Sequence, residues 1–170
     1  MKKAFAFSMI AIMFFSACKK EDNGPPPLNS TSMKVGKAGI RFTANTAFNG
    51  NKNFDVVNTN ETSASTTTLS GGTIRNIKVE ATEITDNRPS RKVLIDFVVR
   101  EVSTINLSLT SGFPLGNIRL ESYSVFGIIR RSVSGTLTVT KLTTTEVEGN
   151  FTATFDDGMV INNGSFAGKF

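Results

Sequence analysis

The 170-residue sequence predicts an all-β domain, an antiparallel meander of about nine strands that closes into a flattened barrel or folds over as a β-sandwich. Three observations predict it. From Ala38 onward, Thr, Val, Ile and Phe alternate with polar residues at a period of two, as in antiparallel strands wet on one side. Gly, Asn and Asp clusters punctuate the alternation at hairpin spacing. No helical period survives beyond the first 17 residues.

Strands are expected near 38–44, 53–58, 73–84, 91–102, 104–109, 117–128, 133–141, 146–155 and 159–168. Asn49-Gly50 suits a type I′ hairpin, because both positions tolerate positive φ. Ile77, Val79 and Ala81 share one face of their strand. In the run Val93 to Val99, the residues Val93, Ile95, Phe97 and Val99 share a face, and Leu94 and Val98 flank Asp96 on the other. That strand is therefore expected to be central, and Asp96 either has a partner such as an arginine or reaches water. Leu137 and Val139, then Val147, Gly149, Phe151, Ala153 and Phe155, continue the pattern. Asp156-Asp157-Gly158 suits a three-residue turn with Gly in the left-handed position. It makes the last strand an antiparallel neighbour of 146–155, with Phe166 and Phe170 facing the core. Ser70-Gly71-Gly72, Asn87-Arg88-Pro89 and Gly112-Phe113-Pro114 are the other expected breaks.

Upstream of this domain the chemistry changes. Lys2 and Lys3 precede an apolar run from Ala4 to Phe15, and Ser16-Ala17 lead into Cys18. About a dozen apolar residues suit a signal-peptide core, whereas a spanning helix needs roughly 20. Small residues before a lone cysteine resemble the lipobox of bacterial lipoproteins. The expected organisation is a cleaved signal over 1–17, a lipidated Cys18 with a disordered tether over 18–36, and one β domain over 37–170. Lys19-Lys20-Glu21-Asp22 and Pro25-Pro26-Pro27 are the tether's solvated and extended parts. The charged run is also similar to the export signal of Bacteroidetes surface lipoproteins.

Composition excludes more than it selects. The sequence has no histidine, and its single cysteine is assigned to lipid. Ser-His-Asp and Cys-His catalysis, His-ligated metals, thiolate sites and disulfides are thereby set aside, and no cofactor is expected. Net charge falls from +5 to +3 once Lys2 and Lys3 leave with the signal, too little and too dispersed for a nucleic-acid surface. Glu80 and Glu83 fall on opposite faces, Glu146 and Glu148 on a wet face, and Asp156-Asp157 in a turn, so all read as solvated charge. Arg130-Arg131, with Arg119, could form a basic patch only from within a turn.

The C-terminal half carries a cadence: Gly135-Thr136-Leu137-Thr138-Val139-Thr140-Lys141, then Gly149-Asn150-Phe151 with Phe155, then Ile161-Asn162-Asn163-Gly164-Ser165-Phe166. With Ile40-Arg41-Phe42-Thr43-Ala44 as opening strand, it resembles a family of small Bacteroidetes cell-envelope lipoproteins of unknown function. The resemblance implies fold and location and supplies no catalytic residue. Gly135 and Gly149 read as strand glycines, and Asn163-Gly164 as a bulge or turn.

Two functions are expected from these readings. The first is a monomeric, non-enzymatic envelope module, anchored to the outer membrane through acylated Cys18, whose exposed Thr/Asn faces contact another envelope protein or a glycan. The second is a lipocalin-like carrier, in which Ile77, Val79, Ile95, Phe97, Leu137 and Phe151 line a barrel interior holding a small apolar ligand.

Overall fold

The computed structural model describes residues 26–69, 73–108, 116–123 and 127–170. Cys18, the signal segment, Ser70-Gly71-Gly72 and Gly112-Phe113-Pro114 lie outside the described residues. Ten strands are present among the described residues: β1 (Ala38–Phe48), β2 (Asn51–Val57), β3 (Thr62–Thr68), β4 (Arg75–Thr85), β5 (Arg88–Val99), β6 (Thr104–Ser108), β7 (Gly116–Ser122), β8 (Ile129–Leu142), β9 (Glu146–Phe155) and β10 (Val160–Lys169). Nine lie on one antiparallel path, β2-β1-β10-β9-β8-β7-β5-β4-β3. The path curls into a nearly closed barrel whose one open seam separates the two end strands. β8 serves β7 with residues 129–131 and β6 with residues 134–138, and carries β9 along its other edge.

The alternation read from sequence is the inside–outside alternation of this barrel. β4 buries Ile77, Val79 and Ala81, and β5 buries Val93, Ile95, Phe97 and Val99. β9 buries Val147, Phe151, Ala153 and Phe155. Phenylalanine rings fill the interior, with Phe42 stacked on Phe54 at 5.3 Å, and with Phe42–Phe151 (6.2 Å) and Phe97–Phe166 (5.6 Å) edge to face.

Turns follow their residues. Asn49 and Gly50 both have positive φ, 51° and 85°, as the expected hairpin requires. Gly158 has φ 84° and donates its N–H to Phe155 O at 3.0 Å. The β4–β5 hairpin turns at Asp86-Asn87, φ 52° and 59°, rather than at Asn87-Arg88-Pro89. Arg88 and Pro89 already pair with Thr85 and Ile84.

Two expectations need correction. The strand count rises to ten because Thr62-Ser63-Ala64-Ser65-Thr66-Thr67-Thr68 forms an edge strand with almost no apolar face; it buries only Thr62 and Ala64. The tether over 18–36 is too long at its C-terminal end. Leu28 and Met33 are buried with Ala167 on the outer face of the sheet, against partly buried Val57, and Gly36 N–H donates to Lys169 O at 2.7 Å. Residues 26–36 are thus a strap packed on the barrel, with two apolar side chains covering a patch the sheet would otherwise expose. Asp96, expected to have a partner or to reach water, is partly buried. Desolvation raises its carboxyl above the ordinary value, and the charges of Lys78 and Arg119 oppose the rise.

The seam is bridged by a side chain with no apolar signature. Arg91 on β5 is 1% exposed. Its Nε donates to Glu83 Oε2 at 2.6 Å and its Nη2 to the second carboxylate oxygen. Its Nη1 donates to Phe48 O (3.3 Å) and Asn51 O (3.2 Å) in the β1–β2 hairpin. The guanidinium also lies 5.6 Å from the Phe48 ring centroid and 5.4 Å from that of Phe54. β5 is thereby fastened to β1 and β2 across the gap that sheet hydrogen bonds leave open.

On β9 and β10 two glycines face phenylalanines directly, Gly149 opposite Phe166 and Gly164 opposite Phe151. A Cβ on Gly149 would collide with the Phe166 ring and with Thr138 O, and one on Gly164 would collide with the Phe151 ring. Each ring lies over a neighbouring strand that has no side chain there. Gly149→Ala is therefore expected to destabilise the domain by about 1–3 kcal/mol, the usual cost of overpacking. A variant with an unchanged urea midpoint would show that the Phe166 ring has room to move.

Candidate functional site

Midway along β6, β8, β9 and β10 the outward residues form an uncharged hydrogen-bonding face, beyond which Lys141, Glu146, Glu148 and Lys169 lie. Thr104 lies opposite Thr138 and Thr136 opposite Thr152, each pair with hydroxyls 3.1 Å apart. Thr138 lies opposite Asn150, and Asn150 opposite Ser165. A bulge in β10 between Ile161 and Gly164 puts both Asn162 and Asn163 on the exposed side, where a regular strand would show one.

The strap walls this face. Pro26 and Pro27 stand along one side of an open groove of about 470 Å3, with Phe151 and Gly164 among its lining residues. Every residue lining the groove is uncharged. Arg41 stands at the groove's margin, opposite Ser165: its Nε pairs with Asp55 at 2.9 Å, and its Nη1 donates to Pro26 O. Ser165 is 3% exposed, and its hydroxyl has no hydrogen-bond partner among the described residues. A buried polar group left so costs about 1–3 kcal/mol.

At the other end of the strap, Ser30 is fully buried and donates from both its N–H (2.8 Å) and its hydroxyl (2.6 Å) to Glu148 Oε1. Lys141 Nζ joins Glu146 and Glu148. Glu146 and Glu148 are therefore not the plain solvated charges expected from their wet face; they hold the strap. Burial works against ionisation of Glu148, but the hydrogen bonds from Ser30 and Lys141 outweigh it and its pKa is lowered. Glu146 is also lowered, chiefly by the Lys141 hydrogen bond. Carboxylates depressed in the folded state stabilise it above their unfolded pKa, and that contribution is lost as pH falls through the folded pKa. The strap is expected to stay docked at neutral pH and to loosen only once the pH falls below the ordinary glutamate range. The methyl NMR signals of Leu28 and Met33 report this. Signals that hold their positions down to about pH 3, with the barrel still folded, would show that the carboxylates do not hold the strap.

The six residues of the carrier reading all point inward: Ile77 and Val79 from β4, Ile95 and Phe97 from β5, Leu137 from β8 and Phe151 from β9, each at most 3% exposed. Ile77 opposes Phe97, Val79 opposes Ile95 and Leu137 opposes Phe151. They pack against one another in the core, and of the six only Phe151 borders the groove. Arg130 and Arg131 diverge, as adjacent strand residues must. Arg130 pairs with Asp157 and lies 5.7 Å from the Phe48 ring centroid, whereas Arg131 is exposed opposite Arg119. A second cleft, about 440 Å3, opens between β2 and the end of β4 and is bordered by Asp55, Val57, Glu61 and Ile84. Among the described residues no cluster of three His, Cys, Asp or Glu could hold a metal.

The sequence marks the Thr/Asn positions as a wet face but does not single out Ser165, Asn150 or Asn162. Their signal is the Asn162-Asn163-Gly164 bulge, which doubles the amides at one point. Ser30 and Arg91 escape sequence reasoning too, because their partners lie 118 residues and up to 43 residues away in the chain. Comparison with family models, with curated proteins and with solved structures gives no match, so the functional reading rests on this chain's own residues.

Proposed function

We propose that the protein is a non-enzymatic cell-envelope lipoprotein, held to the outer membrane by acyl chains on Cys18, whose Thr/Asn face contacts another envelope component. The observation that carries the reading is that uncharged face, with its groove, on a barrel whose interior is packed with side chains. A non-catalytic role is supported by the absence of histidine and by the ion pairs that engage Glu80, Glu83, Glu121, Glu146, Glu148 and Asp157.

Two experiments test it. Cys18→Ser is expected to abolish labelling by an acyl analogue and to shift the protein out of the membrane fraction; a serine variant that still takes the label refutes the anchor. Asn150→Lys with Asn162→Lys is expected to abolish photo-cross-linking of the anchored protein to a neighbouring envelope component while leaving its melting unchanged. Undiminished cross-linking would remove the face from the proposal.

A further inference from the structure

We infer that the groove between the strap and strands β8–β10 is a binding site for a neutral carbohydrate chain. The inference rests on the proposed contact role of this face and names its ligand class.

Charge comes first. Among the described residues no Lys, Arg, Asp or Glu lines the groove. Arg41 at the margin is already paired with Asp55, so an acidic glycan or a phosphate group would meet no free cation in the lining, and a basic peptide would meet no carboxylate there.

Backbone geometry then separates a sugar from a peptide. β8, β9 and β10 are interior strands whose main-chain groups are already paired on both sides over most of the groove. An extended peptide recognised by strand addition needs a free sheet edge. A ligand here can be held only by side chains, so its own hydrogen-bonding groups must lie on its periphery, as sugar hydroxyls do.

The side chains match that chemistry. Asn150 and Asn162 each present an amide that can donate and accept, and no other described residue engages either side chain. Thr136, Thr138 and Thr152 add hydroxyls on the same face. Ser165 Oγ, buried and without a partner, is an unused hydrogen-bonding group within the lining, the kind that an incoming hydroxyl satisfies. At about 470 Å3 the groove is within the ordinary size range of small-ligand sites.

The test is isothermal titration of the full-length protein with maltohexaose, cellohexaose, xylohexaose and mannohexaose, and with hexagalacturonate as the acidic comparison. At least one neutral chain is expected to bind saturably, and hexagalacturonate not to bind. Asn150→Ala with Asn162→Ala is expected to weaken that binding by about tenfold or more without changing the melting temperature, since both side chains are exposed. Ser165→Ala is expected to weaken binding while leaving the melting temperature equal or higher, because it deletes an unsatisfied hydroxyl. Binding of none of the neutral chains, binding of the acidic chain in their place, or neutral binding untouched by the Asn variants each overturns the inference. If no neutral chain binds while the Asn150→Lys, Asn162→Lys protein loses its envelope cross-linking, the ligand class falls and the contact face stands.

Discussion

Deleting residues 165–170 is expected to leave a chain that no longer folds cooperatively. The segment belongs to β10, which lies inside the sheet and pairs with β1 on one side and β9 on the other. Its loss would expose two strand edges and unseat the barrel at its middle, whereas losing β2 or β3 would only widen an existing seam. Phe166 is fully buried, meets Phe97 edge to face at 5.6 Å and covers Gly149. Truncating a core Phe to Ala alone costs about 3–5 kcal/mol, and the stability of a whole domain is about 5–15 kcal/mol. Ala167 also disappears, and with it the floor on which Leu28 and Met33 seat the strap. Phe170 adds a partly buried ring and an N–H bond to Thr145 O at 2.8 Å. Circular dichroism melting decides the matter: a soluble deletion variant that melts cooperatively near the parent temperature would show the last strand to be dispensable.

That strand is legible in the sequence because its signals are local. Asp156-Asp157-Gly158 specifies the turn, the alternation in 146–155 specifies the partner, and Phe166 specifies the inward face. β3 is illegible because Thr and Ser carry no alternation of polarity. It is a strand because β4 offers Arg75 to Ala81 for pairing, a fact of tertiary structure. The strap is illegible for a related reason. Pro25-Pro26-Pro27 and the charges before it resemble a solvated linker, and Leu28 and Met33 are single apolar residues without periodicity. What buries them is Gly39, whose missing side chain leaves room for Met33, Leu28 and Val57 to meet on the outer face. The contact face stands between these cases. Its polarity is readable at a period of two, but its groove depends on a bulge and a wall that no local pattern announces.

Replacing Arg91 is expected to be the most damaging single substitution, and replacing Glu83 the next. The guanidinium sits where a nearly closed barrel lacks strand pairing, and it supplies hydrogen bonds that cross the seam to Phe48 O and Asn51 O. Arg91→Ala would leave those carbonyls and the Glu83 carboxylate without their partner, and would empty the space beside the Phe48 and Phe54 rings. Removing one member of a buried ion pair typically costs about 3–5 kcal/mol. Glu83 is partly exposed, with 28% of its side chain accessible, so water can rescue the carboxylate better than it could rescue a buried guanidinium. Glu83→Ala strands the cation, but the guanidinium keeps its bonds to Phe48 O and Asn51 O and its packing on both rings, so this change should rank second. Arg91→Lys keeps the charge but not the planar fork that grips both carboxylate oxygens and the hairpin carbonyls together, so it should recover only part of the loss. The double substitution Arg91→Met with Glu83→Gln removes both charges and should be milder than Arg91→Ala despite changing more atoms. Urea denaturation of the four variants measures the order, and amide exchange locates the damage. Protection should fall first along β2 and at Thr82–Ile84 beside the seam, before β8 and β9 respond. An Arg91→Ala protein within about 0.5 kcal/mol of the parent, the range of ordinary surface substitutions, would show that the seam holds without its bridge.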